Sequence, residues 1–160
     1  MEKIEQTIGG DTENKKVILA DNHYNELGQL MLKKLHSAND TSFVQDIDYL
    51  YDVRGWLTQI NNFEYTTQNK LYAQSFAYNA NGNISNINWK NTLLNNDGWV
   101  DPTNKLSYAF SYDGLNRLTG GNYGEHTPAG LPVNGGNFDV GFGYDLNGNI
   151  TSLSKKRQCK

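Results

Sequence analysis

The residues in this chain that could do chemistry are few, and each group demands a particular geometry. Asp46 and Asp48 stand two apart in a strand-like run, so their carboxylates would share one face, as a general acid and base must. The same pair serves as charge on a solvated strand edge that is kept from pairing, and that is the reading adopted here. Asp145-Leu146-Asn147-Gly148-Asn149 has the oxygen spacing of a calcium loop, but its glycine falls one place early and its twelfth position is Lys156, not a bidentate Glu. His23, His36 and His126 lie far apart, and none belongs to a motif with a Ser or Cys nucleophile. The glycines build no phosphate-cradling loop. Trp56, Trp89 and Trp99, with 10 Tyr, remain. Exposed aromatic rows stack sugar rings, and the same rings in this number also give small hairpins a core, so core or inter-repeat packing is preferred over a ligand platform. No catalytic residue, cofactor or metal is expected.

The elements that would position these residues follow from composition. A length of 160 residues suits one domain with a real core. Charged residues make up 19% and apolar ones 37%, while 16 Gly and 22 Asn stand where Leu, Ala, Glu and Lys would build helices, which favours turns and strands. A formal net charge of -3 provides no cationic surface for a phosphate backbone, so nucleic acid is not an expected partner. Cys159 stands alone and excludes internal disulfides, zinc ribbons and iron-sulfur clusters. No apolar run is long enough for a membrane helix, and the polar start, residues 1–16, lacks the apolar stretch of a signal peptide.

An internal repeat organises the rest. It reads Tyr, Asp or Asn, two variable residues, Gly, one variable residue, then Leu or Ile, beginning at Tyr24, Tyr51, Tyr78, Tyr112 and Tyr144. The tyrosines are 27, 27, 34 and 32 residues apart. Another aromatic precedes the Tyr by two in four copies (Tyr49, Phe76, Phe110, Phe142), and an apolar residue returns three past the Leu or Ile at Ile60, Ile87 and Leu153.

Each position has a physical reason. Asn25, Asp52, Asn79, Asp113 and Asp145 occupy the first place of a type I turn, where the side chain accepts from a backbone amide two residues on. A type I turn followed by one left-handed residue closes a bulged hairpin, and that residue is Gly28, Gly55, Gly82 and Gly148, or Asn116, the next best choice. The Tyr then pairs across the hairpin with the Leu or Ile six residues later, and one face of every hairpin is apolar. Asn81-Gly82 and Asn147-Gly148 also suit two-residue type I′ turns, which would turn Ile84 to the other face; the bulged register serves all copies and is preferred. Leu27, Leu30, Met31 and Leu35 keep helical spacing as well, so segment 25–35 is read as hairpin with helix as the alternative. The connections Asn91 to Lys105 and Gly120 to Asn137 read as loops or loosely packed excursions.

At these residues the sequence resembles the RHS, or YD-repeat, family. Tyr112-Asp113-Gly114-Leu115-Asn116-Arg117-Leu118-Thr119 and Tyr144-Asp145-Leu146-Asn147-Gly148-Asn149-Ile150 are close to its wording, with Tyr51-Asp52-Val53-Arg54-Gly55-Trp56-Leu57-Thr58 similar. The resemblance implies hairpins stacked side by side, in full-length members curled into a shell that encloses a polypeptide or displays surfaces for cell contact. Five repeats are too few to close a shell, and no toxin domain or self-cleaving segment follows them.

The expected fold is therefore all-β: tandem antiparallel hairpins forming a curved, open, partly wrapped sheet, with residues 1–16 as a polar N-terminal segment, 17–154 as the repeat domain and 155–160 as a basic tail. The expected role is a non-enzymatic structural segment of a larger exported or cell-surface protein, with a cytoplasmic location as the alternative. The expected partners are neighbouring repeats or chains at the open sheet edges, and a polypeptide cargo. A glycan-binding module using Trp56, Trp89 or Trp99 is the second reading.

Overall fold

A computed structural model describes residues 1–8, 15–62, 70–91, 93–95, 98–100, 105–126 and 137–157. The described residues are all-β. The strands are β1 (Glu2–Ile8), β2 (Lys15–Tyr24), β3 (Leu30–Ser37), β4 (Gln45–Tyr51), β5 (Leu57–Ile60), β6 (Tyr72–Tyr78), β7 (Ile84–Asn91), β8 (Leu93–Asn95), β9 (Gly98–Val100), β10 (Lys105–Tyr112), β11 (Leu118–His126), β12 (Val140–Tyr144) and β13 (Ile150–Lys155). Eleven of them form one open antiparallel sheet in chain order from β1 to β13, while β8 and β9 pair separately. Nearest neighbours in sequence are thus nearest neighbours in space, the lowest-entropy way to build a sheet.

All five expected turns are present with the bulged geometry. Asp52 shows the pattern: the Gly55 amide donates to its carbonyl at 3.0 Å, and its own amide donates to the Trp56 carbonyl at 2.9 Å. Its carboxylate Oδ1 accepts from the amides of Arg54 (2.8 Å) and Trp56 (2.9 Å). Asn25, Asn79, Asp113 and Asp145 repeat these bonds. The residue that must turn left-handed has φ of 76° at Gly28, 82° at Gly55, 87° at Gly82, 62° at Asn116 and 88° at Gly148. The bulge falls immediately before each Tyr, and the Tyr pairs with the Leu or Ile six residues on, as in Tyr78↔Ile84. The type I′ alternative does not occur, and segment 25–35 is hairpin rather than helix.

Three expectations are corrected. Gly120 to His126 is not loop but the body of β11, paired with β10 through Lys105↔His126; only residues 127–136 of that connection lie outside the described residues. Leu93–Asn95 and Gly98–Val100, read as loop or loosely packed excursion, pair as the β8–β9 ladder. Asp46 and Asp48 are not kept from pairing: both stand in the β3–β4 ladder, as Lys34↔Asp46 and Leu32↔Asp48, while the β5 ladder reaches only Tyr49 to Tyr51. The polar segment 1–16 supplies β1, which pairs with β2.

The aromatic residues share one face, but that face is half-buried rather than buried. No element touches another except its sheet neighbours, so among the described residues no second layer covers the rings. Among the described residues, Ile18, Ala20 and Ala73 are the buried apolar ones. The opposite face of the later strands carries small residues: Ala73, Ser75 and Ala77 on β6, Ser107, Ala109 and Ser111 on β10, Ser152 and Ser154 on β13. With so little apolar burial, stability has to come from what joins each hairpin to the next.

Candidate functional site

The joint between hairpins is the most organised feature of the molecule. Tyr51 donates its hydroxyl to the Leu30 carbonyl at 3.1 Å, Tyr78 to Leu57 at 2.7 Å, Tyr112 to Ile84 at 2.8 Å and Tyr144 to Leu118 at 2.8 Å. In each case the acceptor is the residue that closes the preceding hairpin. Tyr24 departs from this and donates to the Glu2 carboxylate of β1 at 3.2 Å. The rings pack across one hairpin while their hydroxyls reach the one before it. Desolvation first, and then the Asp52 charge, raises the Tyr78 hydroxyl above its ordinary value, so the proton needed for this bond is held more firmly.

The residue after each turn glycine adds a second link. The Trp56 ring lies 5.1 Å from that of Tyr78 in the next hairpin, and a Cβ on Gly82 would meet it at 3.1 Å. Arg117 covers the Tyr144 ring at 4.6 Å, and its Nη1 donates to the Asp145 carbonyl at 3.2 Å. Asn83 Nδ2 donates to Asn116 Oδ1 at 3.0 Å, and the Gln29 amide nitrogen lies 3.2 Å from where a Gly55 Cβ would stand. Each hairpin thus rests a side chain against the left-handed residue of its successor.

Turn carboxylates are committed to these hairpins. The Asp113 carboxyl is held below the usual range, chiefly by the Arg117 amide and then by the Arg117 side chain and the Leu115 amide, with partial desolvation opposing. Asp145 is lowered likewise, first by the Asn149 side-chain amide at 2.8 Å and then by the Asn149 backbone. The calcium-like spacing of this loop is accounted for by the turn, and among the described residues no group of three or more His, Cys, Asp or Glu is placed to hold a metal ion.

Of the tryptophans, Trp56 belongs to the joint, and Trp89 stacks on Tyr108 at 6.0 Å with an interplanar angle of 12°. Tyr108 continues the strip to Phe110 at 5.8 Å and Tyr123 at 5.6 Å, and Tyr123 meets Phe138 edge-on at 5.4 Å. Trp99 stands in β9 opposite Leu94, and its side chain lies outside the described residues.

Two polar groups escaped the sequence reading. Ser107 Oγ and His126 Nε2 meet at 3.2 Å, brought together by the β10–β11 register across 19 residues. Ser107 is buried and lies 3.3 Å from the Gly124 carbonyl, so the pair reads as a sheet-face hydrogen bond for which Gly124 leaves room. Lys3, Asp21, Lys34 and Asp46 face one another in register across β1 to β4; Asp21, at 4% exposure, has Oδ2 3.2 Å from His23 Nε2, while Lys3 Nζ pairs with Asp40 at 2.7 Å. Asp48 is ion-paired with Lys70 at 2.9 Å, and the same Lys70 Nζ donates to the Asp46 backbone carbonyl.

Compared with known proteins, the chain matches no family model and no curated protein. Among the described residues, which form strands and turns, there is no helix long and apolar enough to cross a membrane.

Proposed function

We propose that this chain is a non-enzymatic structural segment of a larger exported or cell-surface protein of the RHS type, supplying wall to a shell or scaffold. The observation that carries the reading is the Tyr hydroxyl to carbonyl joint, repeated at four successive steps. The side chains of the repeat are spent on the array itself: carboxylates cap turns, hydroxyls join neighbours, and Trp56 and Arg117 lean on the next hairpin. Such nearest-neighbour stacking adds stability unit by unit and suits the building of long walls. The resemblance of the Tyr-Asp motifs to the RHS family supports an exported setting and a polypeptide cargo.

The test is the reading frame around the coding segment, together with the mass of the protein purified from its source. Further Tyr-Asp-x-x-Gly hairpins on a longer polypeptide are expected. A mature product with no additional hairpins contradicts the wall reading.

A second reading is favoured by the strip of Trp89, Tyr108, Tyr123 and Phe138, half-buried to 39% exposed on the uncovered face. Stacked rings on an open sheet face suit carbohydrate. Glycan-array binding that is lost in Trp89→Ala would support it, and an empty array would remove it.

A further inference from the structure

We propose that the outer edge of β13 is a receptor for the first strand of another Tyr-Asp hairpin, whose tyrosine hydroxyl is taken by the Ile150 carbonyl. The inference rests on the wall reading and names its partner. Every internal joint has one register: the residue two past the closing Leu or Ile faces the residue three before the next Tyr. This holds for Leu32↔Asp48, Gln59↔Ser75, Asn86↔Ala109 and Gly120↔Gly141. Ile150 closes the fifth hairpin as Leu30, Leu57, Ile84 and Leu118 close the first four. Those four carbonyls each accept a Tyr hydroxyl; among the described residues nothing pairs with the outer edge of β13. Its apolar residues stand open to match, Ile150 at 60% and Leu153 at 68% exposure, where Leu57, Ile60, Ile84 and Ile87 in the same roles are half-buried.

The other edge decides what the occupant is. Lys3 faces Asp21, three before Tyr24, which places Met1 in the closing position, and Ile4 follows it by three as Ile60 follows Leu57. β1 is therefore of the same type as β13, the second strand of a hairpin. Two edges of one type do not continue the alternation when joined head to tail, and all five first strands of this chain lie inside its own sheet. A second copy offers no free Tyr strand. The occupant is a hairpin of the same grammar from polypeptide outside these 160 residues.

The test uses the intact chain and a synthetic hairpin copying residues 137–155, labelled for fluorescence anisotropy, beside the same peptide with Tyr144→Phe. The tyrosine peptide is expected to bind and to slow hydrogen exchange at those β13 amides that do not bond β12. The Phe peptide is expected to bind about fivefold more weakly, the effect of one hydrogen bond. Equal affinity of the two peptides, protection at β1 instead of β13, no binding at millimolar peptide, or self-association of the chain through β13 would each overturn the proposal. None of these outcomes touches the wall reading, which stands or falls on the native polypeptide's length and repeats.

Discussion

The two ends of the strands are built on different plans. At the turn end, five hairpins close with the same bonds and hand the same contacts to their neighbours. At the opposite end, among the described residues, two crossings are held by single side chains. Asn61 ends β5 with φ 57° at 3% exposure; its side chain accepts from the Asp48 amide at 3.0 Å and donates to the Tyr72 carbonyl at 2.6 Å, tying β4 to β6. Asp139 does comparable work further on, accepting from the Tyr123 amide at 2.9 Å and from Lys156. The contrast teaches that the repeated end distributes its stability over many equivalent small contacts, whereas the described crossings at the other end each rest on one residue, Asn61 or Asp139.

That contrast is breakable by substitution. Asn61→Ala removes the side-chain partner of two part-buried backbone groups and puts a Cβ-bearing residue lacking a polar side chain in a left-handed conformation, so it should cost about 3 kcal/mol in denaturant unfolding. A loss below that of any single turn substitution would erase the distinction between the ends. At the turn end, Gly82→Ala should cost about 2 kcal/mol, because the left-handed backbone penalty is joined by displacement of the Trp56 ring, whereas Gly28→Ala, with open space around the added Cβ, should pay the backbone penalty alone. Equal losses would show that Trp56 does not rest on the next turn.

The smallest effect sharpens the turn chemistry. Asp113 has a folded-state value below its unfolded one, so the stability it contributes is present above about pH 4 and is lost as pH falls through the folded value. Asp113→Asn, a residue that already caps two of the other turns, should flatten the fall in stability as the pH drops below about 4. An unaltered acid slope would place the titrating group elsewhere.

The turn end was legible in the sequence because its structure is written locally. A turn needs an acceptor at its first residue and a left-handed residue three later, and Asp52 and Gly55 are three residues apart. The pairing of Tyr with Leu or Ile followed from that register without any tertiary information. The joint itself was not legible: that Tyr78 reaches Leu57, 21 residues back, depends on where the next strand is laid, and the identity of a tyrosine does not say what its hydroxyl will meet. The same limit hid Ser107 and His126, joined by strand pairing, and Asn61, which looks like any polar residue at a strand end. Gly120, Gly121 and Gly124 read as loop and lie in β11 because composition was taken as turn chemistry; in place, a Cβ on Gly121 or Gly124 would meet Phe110 at 3.3 Å or Ser107 at 2.6 Å, so these glycines make room for neighbours.

The most direct measurement is denaturant unfolding of five single Tyr→Phe variants, each deleting one hydroxyl and nothing else. Phe at positions 51, 78, 112 and 144 should each lower stability by about 1 kcal/mol, with Tyr24→Phe, whose partner is an exposed carboxylate, costing less. Four unchanged midpoints would contradict the claim that one tyrosine bond joins each hairpin to the last.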